Sequence, residues 1–319
     1  MSADTLRLRV PAKINLFLHI TGRRADGYHE LQSVFAPIDW CDELALTADH
    51  SGTIRRIDGP TDIDPAADLT MRAARLLQPF APPGVGATIS LRKHIPTGAG
   101  LGGGSADAAY ALLGLRALWQ VPLADGELAR LALELGADVP FFLQSSAALV
   151  EGIGERLRGL SLPERFLVLI KPDESLATRD VFRRLELTVA AEHVKMPVFG
   201  FATDAAAGER IWRYAGELGA NDLQSAAESV CPAIGRAQRL LAASALQESP
   251  ADFVRMSGSG STVFAVFKSP IAARACFDTT VAALAASKDR QLAGAQVKLC
   301  RTLLRHSLAD QTVQPAPYA

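Results

Sequence analysis

The chain has almost no net charge: 33 Lys plus Arg oppose 34 Asp plus Glu, leaving −1 at pH 7. Without a strong overall field it has no long-range means of gathering nucleic acid or an anionic membrane, so any anion it binds must be held by local groups. Cysteine is scarce as well. Cys41, Cys231, Cys276 and Cys300 lie too far apart for a CxxC pair or a zinc-ligand pattern, and they read as buried, reduced thiols. Nor does the sequence offer an apolar run of leader or membrane-span character. Asp4, Arg7 and Arg9 interrupt residues 1–10, and uncharged runs such as 139–150 are too short to cross a bilayer. Together these absences predict a cytoplasmic protein with neither nucleic acid nor membrane as partner.

What is present suits a soluble globular protein, with 49% apolar and 21% charged residues. A length of 319 residues accommodates about two domains. The polar, Pro-containing stretch at 159–164 predicts a boundary. It gives an N-terminal unit of 1–161 and a C-terminal unit of 162–306, with a frayed tail over 307–319. Leu6, Leu8 and Val10 alternate with Arg7 and Arg9 as in a half-wet strand, and after Pro11 a second strand begins at Ile14. In that second run Ile14, Leu16, Leu18 and Ile20 share one face, while Lys13, Asn15, Phe17 and His19 share the other. A solvated surface and a functional one both fit the latter. Asp68 should cap a helix with Leu69, Ala73, Leu76, Leu77 and Phe80 in one stripe, and Asp125 should cap another running to about Gly136. Helices are also expected over 105–119, 179–185, 208–218 and 233–246, and strands over 88–91, 166–170 and 263–267. The pattern is α+β.

The most informative stretch is Pro96, Thr97, Gly98, Ala99, Gly100, Leu101, Gly102, Gly103, Gly104, Ser105 and Ala106, between a predicted strand and a predicted helix. Glycine admits positive φ and lets an anion approach backbone amides, and the helix start adds unpaired N–H groups with a partial positive charge. On those grounds the expected occupant is phosphate. A Walker loop is excluded, because Gly104 stands where its lysine belongs. Gly98, Gly100 and Gly103 satisfy G-x-G-x-x-G, which leaves a dinucleotide fold open, although no acid stands at the ribose position.

Pro96, Gly100, Leu101, Gly102, Ser105 and Ala106 resemble the P-x-x-x-G-L-G-S-S-A-A loop of the GHMP kinase superfamily, the group of galactokinase, homoserine kinase and mevalonate kinase. Residues 11–16 (PAKINL) and 257–264 (SGSGSTVF) fit that group in the same order. Within it, residues 13–18, 22–33, 136–142 and 221–223, with Thr178 and Phe182, are similar to kinases acting on 4-diphosphocytidyl-2-C-methyl-D-erythritol. The resemblance implies a two-domain GHMP kinase fold, with an α+β N-terminal half, a ferredoxin-like C-terminal half and the active site in the cleft between. It further implies ATP as donor, with Mg²⁺ expected, and a small-molecule acceptor carrying a cytidine diphosphate group, phosphorylated on its 2-hydroxyl by a monomer or homodimer. Another small-molecule acceptor, or a catalytically silent nucleotide-binding protein, is the alternative.

Residue by residue, the resemblance makes Asp138 the base and Lys13 its orienting cation, with Pro96 through Ala106 around ATP. Tyr28 and Phe182 would sandwich the cytosine and His29 would bond its edge. Asn15, His19 and Thr178 would contact sugar, diphosphate or polyol, as would Asp222 unless it braces Lys13 or a loop. Read without the motifs, Asp138 is better taken as a turn cap before Pro140, and Lys13 as a solvated strand residue. The metal ligands are unknown, since no acidic cluster has clear metal spacing. Two positions depart from the family pattern: Ala99 stands where glycine is common, and Asp107 puts a carboxylate in the first helical turn, where it favours the dipole but opposes phosphate.

Overall fold

A computed structural model of the chain describes residues 5–61, 63–186, 205–246 and 250–312. Most of the stretch 187–207, for which the sequence offers no motif, lies outside them. The first sheet takes β1 (Thr5–Arg23), β2 (His29–Asp49), β3 (Ile54–Asp58), β4 (Gly86–Arg92), β5 (Ala147–Gly152) and β6 (Arg156–Leu160), in the order β3-β4-β2-β5-β6 with β1 paired to β2. Helices α1 (Leu69–Leu77), α2 (Gly103–Leu118) and α3 (Asp125–Leu135) bury their apolar residues against it, Tyr110 and Leu112 among Leu44, Leu46 and Ile89. The second sheet holds β7 (Phe166–Lys171), β8 (Phe253–Met256), β9 (Val263–Phe267) and β10 (Gln296–Arg301), all antiparallel, in the order β10-β7-β9-β8. Around it stand α4 (Thr178–Glu186), α5 (Ala205–Glu217), α6 (Gln224–Val230), α7 (Ala233–Leu246) and α8 (Pro270–Ala286), and a last short helix, α9 (Leu308–Gln311), returns toward β1.

The two sheets share a core because alternate side chains of β7 go opposite ways. Val168 and Ile170 pack under the helices with Ile234 and Cys276, whereas Leu167 and Leu169 pack against Ile14, Leu16 and Ile38 of the first sheet. A strand buried on both faces reads as a continuous apolar run, as FLVLIK does here. Among the strands of the described residues only β3 and β4 run parallel, which removes the dinucleotide-fold reading of Gly98, Gly100 and Gly103.

Several expectations need correction. The two strands predicted either side of Pro11 are one, with register shifts between Pro11 and Ala12 and between Asn15 and Leu18. Proline lacks an N–H and is tolerated at such a bulge. Each shift changes the face presented, so β1 feeds three cores in turn: Leu8 and Val10, then Ala12 to Leu16, then Leu18 and Ile20. Its polar face is not solvated, for Lys13, Asn15, Phe17 and His19 are all buried. Asp68 does cap α1, accepting from Thr70 N at 2.8 Å, but Phe80 leaves the predicted stripe. It lies in the tighter 3₁₀ turn Gln78–Phe80, whose winding turns it toward solvent. The cap of α3 is Ala124, not Asp125, with the Glu127 carboxylate accepting from Ala124 N at 3.1 Å. The tail is ordered at its start: Ser307 caps α9 and Thr312 bridges Leu8, while residues 313–319 lie outside the described residues.

Candidate active site

The glycine segment connects β4 to α2. Gly98, Gly100 and Gly102 hold φ of 63°, 72° and 70°, the left-handed region where a side chain is strained. Ala99 and Leu101 between them point into the inter-sheet core and pin the loop down. Ala99 keeps a negative φ, so its departure from glycine costs the backbone nothing. Five successive carbonyls are tied to protein donors: Thr97 O to Ser175 Oγ (2.9 Å), Gly98 O to Leu176 N (3.1 Å), Ala99 O to Thr262 N (3.2 Å), Gly100 O to Ser257 Oγ (3.0 Å) and Leu101 O to Lys13 N (2.9 Å). Among the described residues, the amides of Gly98 to Gly102 donate to no protein acceptor. With the free first-turn amides of α2, they form a rigid donor array suited to a polyphosphate. Ala106 is an exception to the predicted loop, because it is fully buried beneath the array and does not line the cleft.

That cleft, about 1130 Å³, contains every other predicted site residue except His19 and Asp222. Lys13 Nζ lies 3.4 Å from Asp138 Oδ2 and 2.6 Å from Asn15 Oδ1, and 4.2 Å over the Phe35 ring. Asn15 is held in turn by Ser33 Oγ at 3.0 Å and, through its amide, by Ser257 Oγ at 3.2 Å. Lys13 is 3% exposed while the Asp138 side chain is 35% exposed, so the ammonium forms the floor and the carboxylate reaches the cavity.

Asp138 owes its place to the 3₁₀ turn Val139–Leu143, whose Val139, Pro140, Phe141 and Phe142 are all buried. Behind that turn His306 packs 5.6 Å from the Phe141 ring, and Tyr110 donates to the His306 carbonyl. Burial pushes the His306 imidazole down to about 4 from its usual 6.5. The folded state therefore resists protonation that the unfolded chain accepts, and stability is lost as pH falls through that window. Between pH 7 and pH 4 the loss from this group should reach about 3 kcal/mol. Denaturant unfolding of the wild type and His306→Leu at both pH values tests it, and a stability difference that stays constant would reject it.

On the other wall, Phe182 stacks on His29 with centroids 5.2 Å apart and planes at 28°. The expected sandwich pairs Phe182 with Tyr28, but here the ring against Phe182 is His29, and Tyr28 stands 61% exposed at the cleft rim. Thr178 Oγ1 meets Ser259 Oγ at 2.9 Å. His19, expected to touch the acceptor, is buried and turned away: its Nδ1 lies 3.4 Å from Asp222 Oδ1. Asp222 braces β1, accepting from Ile20 N at 2.8 Å and donating its own amide to Leu18 O at 2.9 Å. Its neighbour Asn221 donates to the carbonyls of Met256 (2.9 Å) and Gly258 (2.8 Å), fastening the second glycine turn beside the first.

Sequence reasoning missed one charged cluster. Lys93 bridges Asp42 at 2.5 Å and Asp107 at 2.6 Å, and buried Asp42 also accepts from His94 N and Ile95 N. Burial pushes the Asp107 carboxyl up although Lys93 pulls it down. Burial opposes the Lys93 ammonium, but Asp107 and Asp42 outweigh it and raise its pKa. The carboxylate that seemed to oppose phosphate is thus matched by a cation in the same wall. No spacing rule links these three positions, which meet only through the register of β2 against β4 and the packing of α2 on that sheet.

Residues 68–146 match the model of the GHMP kinases N terminal domain and residues 205–280 that of the GHMP kinases C terminal. A 4-diphosphocytidyl-2-C-methyl-D-erythritol kinase of Polynucleobacter necessarius subsp. necessarius (strain STIR1) is 44% identical over 269 residues, 84% of this chain and 86% of that protein. The kinase of the same name from Polaromonas naphthalenivorans (strain CJ2) is 44% identical over 314 residues, covering 94% and 93%. A crystal structure of 4-(cytidine 5'-diphospho)-2C-methyl-D-erythritol kinase superposes with a TM-score of 0.71 at 35% identity, over 92% of this chain and 98% of that one. Homoserine kinase from Cytophaga hutchinsonii ATCC 33406, at 17% identity and a TM-score of 0.70, shares the fold. With the glycine loop, the lysine–aspartate pair and the two-sheet frame all in place, the chain belongs to the 4-diphosphocytidyl-2-C-methyl-D-erythritol kinase family and has the two-domain GHMP kinase fold.

Proposed function

We propose that the protein transfers the γ-phosphate of ATP to the 2-hydroxyl of 4-diphosphocytidyl-2-C-methyl-D-erythritol, in the non-mevalonate route to isoprenoid precursors. The supporting observation is the Lys13–Asp138 pair, 3.4 Å apart, in one cleft with the glycine loop. Such transfer needs an in-line hydroxyl, an acceptor for its proton and neutralisation of phosphoryl charge. Asp138 takes the hydroxyl proton, Lys13 orients that carboxylate and meets developing negative charge, and Asn15 fixes the ammonium. The amides of Gly98 to Ser105 hold the polyphosphate and aim its end at the pair. A tertiary alcohol is a weak nucleophile, so alignment by rigid elements supplies much of the acceleration.

In this reading the chain has an N-terminal unit of 1–161 and a C-terminal unit of 162–306, each built around one of the two sheets, with the cleft between. Among the described residues no three His, Cys, Asp or Glu side chains gather as metal ligands, and Asp42 and Asp107 are both engaged by Lys93. Mg²⁺ would therefore be held chiefly by phosphate oxygens and water, where it offsets phosphate charge. Four free thiols suit a cytoplasmic location, and no helix among the described residues is long and apolar enough to cross a membrane. A monomer or homodimer that binds no nucleic acid completes the reading.

A coupled assay of ADP release tests the activity, with 4-diphosphocytidyl-2-C-methyl-D-erythritol, mevalonate, homoserine and galactose as acceptors. Turnover confined to the first is expected, and turnover of another alone overturns the assignment. Tyr28→Ala should raise the acceptor KM by about 5- to 100-fold, the worth of stacking one base, with the ATP KM unaffected. An unchanged acceptor KM would remove Tyr28 from the cytosine site.

A further inference from the structure

Four Lys and Arg side chains line the cleft: Lys13, Lys93, Arg179 and Arg183. Lys13 is engaged by Asp138 and Asn15, Lys93 by Asp42 and Asp107, and Arg183 by Asp180 at 3.2 Å. Among the described residues, Arg179 alone of the four has neither an ion-pair nor a hydrogen-bond partner. A cation left unmatched in the wall of an anion-binding cleft is poised for a ligand's charge, since a guanidinium grips phosphate oxygens through a planar fork of donors.

The wall also has an order. Helix α4 turns Thr178, Arg179, Phe182 and Arg183 to the cleft. Phe182 marks the aromatic end, stacked on His29. Arg179 lies three positions earlier, about one helical turn away on the same side. Next to it Thr178 is bonded to Ser259, and Gly258 approaches so close to Asn15 that an added Cβ would stand 3.2 Å from Asn15 Oδ1. Asn15 then holds Lys13 at the reacting end. Read from ring to ammonium, the free cation falls between base slot and reaction centre. In a cytidine diphosphate acceptor the doubly anionic diphosphate occupies that same interval, linking nucleoside to polyol.

We propose that Arg179 binds the diphosphate of the acceptor and makes the enzyme demand it. The assignment rests on the function proposed above. It predicts that Arg179→Met raises the acceptor KM by about tenfold, the worth of one charge-assisted bond at a partly exposed site, while the ATP KM stays within twofold. Arg179→Lys should recover part of the loss, as a point charge without the fork. Added salt should raise the acceptor KM of the wild type more steeply than that of Arg179→Met.

The deciding measurement does not depend on turnover. With the glycine loop saturated with ADP, calorimetry compares binding of cytidine 5′-diphosphate and cytidine. The wild type should prefer the diphosphate by about tenfold, as one charge-assisted contact allows, and Arg179→Met should reduce that preference to near unity. A preference retained in Arg179→Met, or one lost instead in Arg183→Met, overturns the assignment, as does an Arg179→Met effect on the ATP KM alone. Wild-type enzyme that binds cytidine diphosphate through Arg179 yet turns over no such acceptor would support the subsite and overturn only the activity.

Discussion

Replacing Asp138 with Asn should lower kcat by about 10²- to 10⁴-fold, the usual contribution of a positioned proton acceptor, with both KM values held within a few-fold. The change keeps the side chain's shape and the Val139–Leu143 turn that presents it, and removes only the charge and basicity. Lys13 would keep its 2.6 Å bond to Asn15 Oδ1 and its place over Phe35, so the ammonium is not abandoned. The pair is partly exposed at its acidic end, and a small change in Tm is therefore expected. Single-turnover rates with both substrates bound would separate this loss from slow product release. A kcat equal to wild type would exclude Asp138 from proton transfer and leave alignment by Lys13 and the glycine loop as the source of catalysis.

An effect of similar size is expected from the smallest possible enlargement of the loop. Gly100→Ala places a Cβ 2.2 Å from the Ser257 carbonyl oxygen and near both backbone atoms N and O of Gly260, at a φ of 72° that alanine adopts at a cost of about 1–2 kcal/mol. The neighbours are backbone and cannot rotate away, so the two glycine turns must separate. Separation breaks the bond from Ser257 Oγ to Gly100 O and misaligns the amides. The ATP KM should rise by at least about 100-fold, since a 1 Å misplacement alone can cost that much. The comparison is Gly126→Ala in α3, where an added Cβ meets nothing within 4 Å. That variant, in the first turn of α3, should keep wild-type ATP binding and gain at most about 0.5 kcal/mol from helix propensity. Near-normal ATP binding by Gly100→Ala would mean that the turns do not need their contact.

How far the site was readable from sequence depends on the distance over which each feature is decided. The Asp68 cap, the helix after the glycine loop and the continuous apolar run of β7 all rest on neighbours a few positions away, and they were legible. Helix α8 was not: its Ala-rich PIAARACFDTTVAALAA segment has no pronounced apolar stripe. The faces of β1 were misread because a period of two assumes an unbroken register, and two of its three register shifts move its side chains among three cores. Resemblance carried residues such as Tyr28 and His19 into the site, but it could not say which way their side chains turn.

By itself, then, the sequence determined the chemistry available to this protein: a phosphate-holding bend, an ammonium and a carboxylate in recognisable motifs, and thiols with no metal spacing. Only the tertiary structure decided the pairings. Lys13 meets Asp138, His29 covers Phe182, Lys93 ties Asp42 to Asp107, and Arg179 is left over. The physical reason is that hydrogen bonds and ion pairs act over a few ångströms, and residues remote along the chain come within that range only when packed sheets and helices fix the register between them.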